Sequence, residues 1–294
     1  MTEQLIRYLK NRHVHTPGIA LARLLLAFGT LLTLLFNDMS VVADHSYMHL
    51  PQYAARHAQH ISIPLKQLDI FMQLSPGVAK TVAIIVLLLV MTGLVPQITC
   101  ILHFVVCFSI RNYFVITNGG DEVTYIMSVL LLPLCLSDPR INQWKEVQPA
   151  ARSSNITGAI ALIVIQLQAA YIYFSAGFGK LFTDVWRQGT AVYYYTSHYR
   201  LGARGVLRWV NELVTATPLV YLLTWGVLLF EIVLPVAPLM ASRYRFRMFV
   251  VALLFHFLIA INFGLITFFF AMAGLLVLFL QPGTKRVEEV MRPS

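Results

Sequence analysis

The stretch Gln166-Leu-Gln168-Ala-Ala170-Tyr171-Ile-Tyr173-Phe174-Ser-Ala176-Gly177-Phe-Gly-Lys180 closes an apolar run that begins near residue 157. An α-helix needs about 20 such residues to cross the hydrocarbon core of a bilayer, and this run is long enough. Its polar residues follow a pattern. Gln166, Ala170, Tyr173, Gly177 and Lys180 recur at alternating steps of four and three, which places them on one helix face, while Gln168 falls off the stripe. Small Ala170 and Gly177 let a second helix or a ligand approach the backbone closely, leaving Tyr173 and Lys180 to point into the same space. An amine at the end of such a helix either snorkels to the headgroups or is stripped of water and becomes a base.

Outward from this stretch, seven more runs near 19–36, 78–95, 97–116, 122–136, 218–240, 246–262 and 264–281 share its character. With 58% hydrophobic and 12% charged residues among 294, and a mean hydropathy of +0.70, the chain carries more apolar surface than a soluble core hides. The expected fold is all-α: a polytopic integral membrane bundle of about eight transmembrane helices over 19–282, between a cytoplasmic N-terminal segment, 1–18, and a cytoplasmic tail, 283–294. Val95-Pro96 and Asn262-Phe263-Gly264 read as the tight turns of helical hairpins. The net charge of +9 does not indicate nucleic acid, because Lys and Arg lie in short patches between the runs and form no single basic face.

Arg7, Lys10 and Arg12 precede a full first span with no clear small-residue cleavage site, so the N-terminus is expected to stay uncleaved and inside. On that map Arg140, Lys145, Arg152, Arg243, Arg245, Arg247, Lys285, Arg286 and Arg292 share the inner side, which is then the more basic one, as the positive-inside rule requires. Two long segments, about 38–77 and 181–217, face outward, and Lys180 lies at the outward end of the fifth span.

The second outer segment holds Trp186, Tyr193, Tyr194, Tyr195, His198, Tyr199 and Trp209, a density of aromatic groups that suits interfacial helices lying on the membrane or a surface that grips a peptide. Trp186, Tyr194 and Gln168 are the candidate substrate-binding residues. In the first segment His45 and His49, then His57 and His60, beside Asp44, are spaced so that two imidazoles can share a helix face, but no third ligand is fixed and no metal site is expected. Cys100, Cys107 and Cys135 fall inside spans and read as packing residues. Polar groups inside spans are costly unless paired or facing a cavity. Two stand out. Glu231 precedes Pro235, which has no N–H to donate to the carbonyl of residue 231, so the sixth helix is expected to kink there. His256 lies mid-span in the seventh, and a neutral, hydrogen-bonded imidazole is expected.

Gln168, Tyr173-Phe174, Ala176-Gly177, Lys180-Leu181, Trp186 and Gly189, followed by Glu231 and His256, resemble the HTTM domain of vitamin K-dependent gamma-carboxylase-like proteins over about 20–282. The resemblance implies that Lys180 matches the lysine that takes a proton from a reduced quinone in those enzymes, and that His256 matches a family histidine. Residues 283–294 form only a short tail where the carboxylases carry an extramembrane domain, so glutamate carboxylation is not expected. A nearer resemblance, to the bacterial sporulation-delaying protein B family, rests on Ile19-Ala-Leu-Ala-Arg23 through Phe36-Asn37, on Thr117-Asn118-Gly119-Gly120-Asp121, on Leu136-Ser-Asp138-Pro-Arg140 and on Trp144. It implies a multi-pass protein of the bacterial plasma membrane that matures a secreted peptide toxin with a small A-type partner.

The chemistry expected is a neutral Lys180 amine acting as general base, with Tyr173, Glu231 and His256 around one outward cavity. Two alternatives stand beside it: a non-catalytic scaffold that presents the toxin precursor to its partner, and a quinone-dependent carboxylase-like enzyme. A quinone is implied by resemblance alone.

Overall fold

The structure, a computed structural model, describes residues 14–42, 67–115, 117–147, 156–199 and 202–281. The two histidine pairs of the first outer segment, and the terminal basic residues used to orient the chain, lie outside these residues. In chain order the helices are α1 (Pro17–Phe36), α2 (Met39–Val42), α3 (Ile70–Gln73), α4 (Pro76–Met91), α5 (Pro96–Tyr113), α6 (Gly119–Leu136), α7 (Ile156–Lys180), α8 (Asp184–Arg187), α9 (Ala191–Thr196), α10 (Val206–Thr215), α11 (Leu219–Val233), a 3-10 turn (Leu234–Leu239), α12 (Ser242–Phe263) and α13 (Ile266–Leu280). Among the described residues there is no named strand, only an isolated bridge between Leu94 and Asn142.

Each of the eight apolar runs is helical, and among the described residues five helices are long and apolar enough to cross a membrane: α1, α6, α7, α11 with its 3-10 extension, and α12. α4 and α13 are apolar but short, and α5 carries Gln97, His103, Arg111 and Asn112, which lower its hydropathy. Of the eight expected spans, five meet both criteria of length and composition.

Local chemistry sets the boundaries. α1, α4 and α5 open with proline in the first turn, where its missing N–H leaves no bond unmade. α6 opens with a reciprocal cap: the Asn118 side chain accepts from the backbone N–H groups of Gly120 and Asp121, and Asp121 Oδ2 accepts from Asn118 N at 2.9 Å. That cap explains the Asn118-Gly-Gly-Asp121 string. Gly264, at φ +70°, ends α12 in the left-handed conformation that glycine adopts without penalty. α11 gives way to the 3-10 turn at Leu234, one residue before Pro235, so the break expected after Glu231 is present.

The chain forms two compact units, one of residues 1–163 with 270–275, the other of 164–269 with 276–294. In the first, α5 runs along α6 and α1 along α4, around a core that includes Leu31, Leu34, Phe71, Leu87, Ile110 and Phe114. In the second, α8 and α9 pack on α11 around Trp186, Ala191 and Leu228.

Candidate functional site: a lysine–glutamate pair beside a tyrosine–histidine pair

In the second unit the polar stripe of α7 is a contact face, and Gln166, Tyr173, Gly177 and Lys180 each meet a residue of another helix. Gln166 Nε2 donates to the carbonyl of Phe279 at 3.1 Å. Tyr173 Oη lies 2.9 Å from His256 Nε2, and both side chains are buried. Gly177 sits against α11 so closely that a Cβ there would lie 3.1 Å from Glu231 Cβ and 3.0 Å from Ile232 Cγ1. One turn on, Lys180 Nζ meets Glu231 Oε2 at 2.5 Å. The missing side chain at Gly177 is what lets α11 bring its carboxylate within reach of the amine.

Lys180 folds back toward its own helix. Besides Glu231 it donates to the carbonyl of Ala176 at 3.3 Å, and the Trp186 ring centroid lies 5.1 Å from Nζ. The lysine side chain is 21% exposed and the glutamate 9%, so the pair is sheltered while the amine keeps some access. The amine that the sequence places beside Glu231 is half of an ion pair with it. Tyr173 and Lys180 are two turns apart on α7, about 10 Å along its axis at roughly 1.5 Å per residue. The four expected residues therefore form two tiers, Lys180 with Glu231 and Tyr173 with His256.

The remaining sequence candidates separate. Trp186 is buried against Ala191 and Leu228, beside the amine, and does not belong to the exposed aromatic surface expected of its segment. Tyr194 is exposed, as are Tyr193, Tyr195, Tyr199 and Trp209. Gln168 is half-buried and stands off the face that holds the pairs. Among the described residues no three His, Cys, Asp or Glu side chains converge as a metal site would need, and the three cysteines are free and buried.

The first unit holds a second polar cluster whose connections the sequence did not reveal. Arg23 on α1 donates to Gln143 Oε1 at 2.6 Å and to Thr99 Oγ1 at 2.8 Å. Gln143 Nε2 passes the connection to Asp138 Oδ2 at 3.0 Å, and Asp138 takes a two-pronged pair from Arg140 at 2.9 and 2.7 Å. Arg140 also donates to the carbonyls of Gln143 and Lys145. Burial alone raises the Asp138 carboxyl, but hydrogen bonds from Arg140 and Gln143, with the guanidinium charge, outweigh it and hold the carboxyl below the usual carboxylate range. Trp144 Nε1 closes the same loop by donating to the carbonyl of Thr92 at 3.0 Å. The signals were an arginine inside a span and the Asp138-Pro-Arg140 string, and neither names Gln143 as the bridge.

Five apolar helices and a sheltered ion pair on facing helices define an integral membrane protein built around charged groups held in its helical interior. No family model matches the chain, and no solved structure matches it. Two proteins of Bacillus subtilis (strain 168) do. Uncharacterized protein YitO is 32% identical over 283 residues, which cover 95% of this chain and 90% of YitO. Sporulation-delaying protein SdpB is 28% identical over 271 residues, covering 90% of this chain and 80% of SdpB. The chain belongs to the family of YitO, with SdpB as a more distant relative.

Proposed function

We propose that this protein matures a secreted peptide toxin in a system of the sporulation-delaying kind, working at the outer face of a bacterial plasma membrane with Lys180 as its base. The contact between Lys180 Nζ and Glu231 Oε2, 2.5 Å apart and sheltered but not sealed, carries this reading. A proton passed from the ammonium to Oε2 leaves a neutral amine, which can then accept a proton from the substrate while Glu231 keeps the first. The pair then holds one proton more, an ammonium beside a protonated Glu231, and its positive charge is balanced by the substrate anion that the proton leaves behind. Trp186 limits water on one side of the amine, and the Tyr173–His256 tier stiffens the same helix face. Similarity to SdpB supports a sporulation-delaying system, and the partners proposed with it are a small A-type protein and the toxin precursor. The HTTM-like string around Lys180 supports the base; no step in this reading passes through a quinone.

The test is mass spectrometry of the precursor peptide from cells carrying wild-type protein or Lys180→Ala, with membrane insertion followed by immunoblot. Loss of the mature peptide at unchanged insertion is expected; normal maturation removes Lys180 from the reaction. The exposed tyrosines Tyr193, Tyr194 and Tyr195 favour a second reading, a scaffold that presents the precursor to its partner. In that case Tyr194→Ala lowers maturation more than Lys180→Ala does.

A further inference from the structure

α10 is a short helix with an apolar face that nothing among the described residues of the second unit covers. Val206 is 78% exposed, Trp209 65%, Leu213 60% and Val210 40%, and the four recur at the i, i+3, i+4, i+7 positions of one helix face. The other sides of the helix are occupied or charged. Asn211 Nδ2 donates to Asn262 Oδ1 at 2.7 Å, which fixes α10 to the last turn of α12. Arg208 and Glu212, both exposed, pair at 2.8 Å on the face turned from the apolar one. A water-exposed stripe of Trp, Leu and two Val is unfavourable, at roughly 25 cal/mol for every Å² left wet.

We infer that this face is seated in the headgroup–acyl boundary of the bilayer that α11 and α12 span. The occupant follows from how the helix is tethered. Only Ala216, Thr217 and Pro218 separate α10 from α11, and three extended residues reach at most about 11 Å, so α10 is confined to the rim of a spanning helix. The Asn211–Asn262 bond holds it to the rim of a second. An amphipathic helix kept at that depth lies in the interfacial plane with its apolar face down and its charges in water. Trp209 is the residue type that favours this level, and exposed Arg204, beside the Arg208–Glu212 pair, leaves the segment with a net positive charge toward lipid phosphates. This surface is separate from the Lys180–Glu231 pair, and its test does not depend on that pair's chemistry.

The experiment places single cysteines at Leu213 and at Arg208 in the full-length protein, labels each with an environment-sensitive fluorophore, and reconstitutes the protein in phosphatidylcholine–phosphatidylglycerol vesicles. The native cysteines are buried, and the unsubstituted protein supplies the labelling background. Leu213→Cys is expected to give blue-shifted emission, to lose most of it to lipids spin-labelled high on the acyl chain, and to keep it in aqueous iodide. Arg208→Cys is expected to show the reverse. Iodide quenching at both positions overturns the inference by leaving the face in water. Protection of Leu213→Cys from both quenchers overturns it in favour of a protein or peptide on that face.

Discussion

The cluster around Asp138 and the Lys180–Glu231 pair both remove charge from water, and they do so in opposite ways. In the first cluster Arg140 holds both Asp138 oxygens and two backbone carbonyls, and Arg23 holds a glutamine and a threonine. Such a network is densely bonded, and guanidinium groups do not give up protons at accessible pH. It ties α1 and α5 to the loop after α6. In the second unit one carboxylate, one carbonyl and an indole ring surround an amine that remains partly accessible. The first arrangement fixes structure. Only the second leaves a titratable group with room to act.

The widest separation is expected from Lys180→Arg. Arginine keeps the positive charge and the pairing with Glu231 but cannot serve as a base. Loss of a general base costs about two to four decades of rate, so maturation measured on the secreted peptide is expected to fall by that factor while the melting temperature in detergent holds. Retained maturation would turn the pair into a second structural clamp and erase the contrast.

Asp138→Ala is the converse. It strands Arg140 beside its carbonyls and removes the acceptor for Gln143, and breaking one side of a buried pair typically costs about 3–5 kcal/mol. Thermal unfolding should show that loss, with maturation per folded molecule unchanged. A loss of maturation without a loss of stability would place the cluster in the reaction.

The first unit also contains a carboxylate of opposite character. Asp69 caps α3 by accepting from Phe71 N at 3.0 Å, and burial pushes its carboxyl up to about 6 against the backbone hydrogen bonds from Phe71 and Met72. The signs differ between the two aspartates. Asp138, held low, contributes stability above the ordinary aspartate value of about 3.9, and that contribution is lost as pH falls. Asp69, held high, contributes most below about 3.9, and its contribution is lost as pH rises through about 6. Asp69→Asn, which can still cap the helix, is therefore expected to melt above wild type at pH 7 and level with it near pH 4. An equal difference at both values would show that the ionised form carries no penalty here.

Much of the second unit was legible in the sequence, because helical periodicity reports a face directly. The stripe from Gln166 to Lys180, the close approach at Gly177 and the break at Pro235 all follow from residue type and spacing. The neighbours do not. Lys180 and Glu231 are 51 residues apart, and Arg23 and Gln143 are 120 apart. Periodicity says which way a side chain faces, while packing decides what it meets. Trp186 shows the limit: an aromatic residue in an outer segment reads as surface, yet the short α8 turns it inward against Leu228. Among the described residues five of the eight apolar runs have the length and hydropathy of a membrane span, and periodicity does not sort the others, since an apolar run marks burial in lipid and burial in protein alike.

The smallest effect tests whether the two tiers of α7 act together. If the Tyr173 hydroxyl donates to His256 Nε2, the imidazole carries its proton on Nδ1, which is buried and has no hydrogen-bond partner among the described residues. If Nε2 donates instead, Nδ1 is an unpaired acceptor. Either way one nitrogen is unsatisfied, so this bond contributes less than a fully satisfied pair. Tyr173→Phe keeps the ring that stacks near Phe279 and removes only the hydroxyl, for which a stability loss of about 1 kcal/mol is expected. Maturation should change little, since Lys180 lies two turns away with its own partner. A loss approaching that of Lys180→Arg would mean that the tiers share one reaction and that His256, through Tyr173, takes part in it.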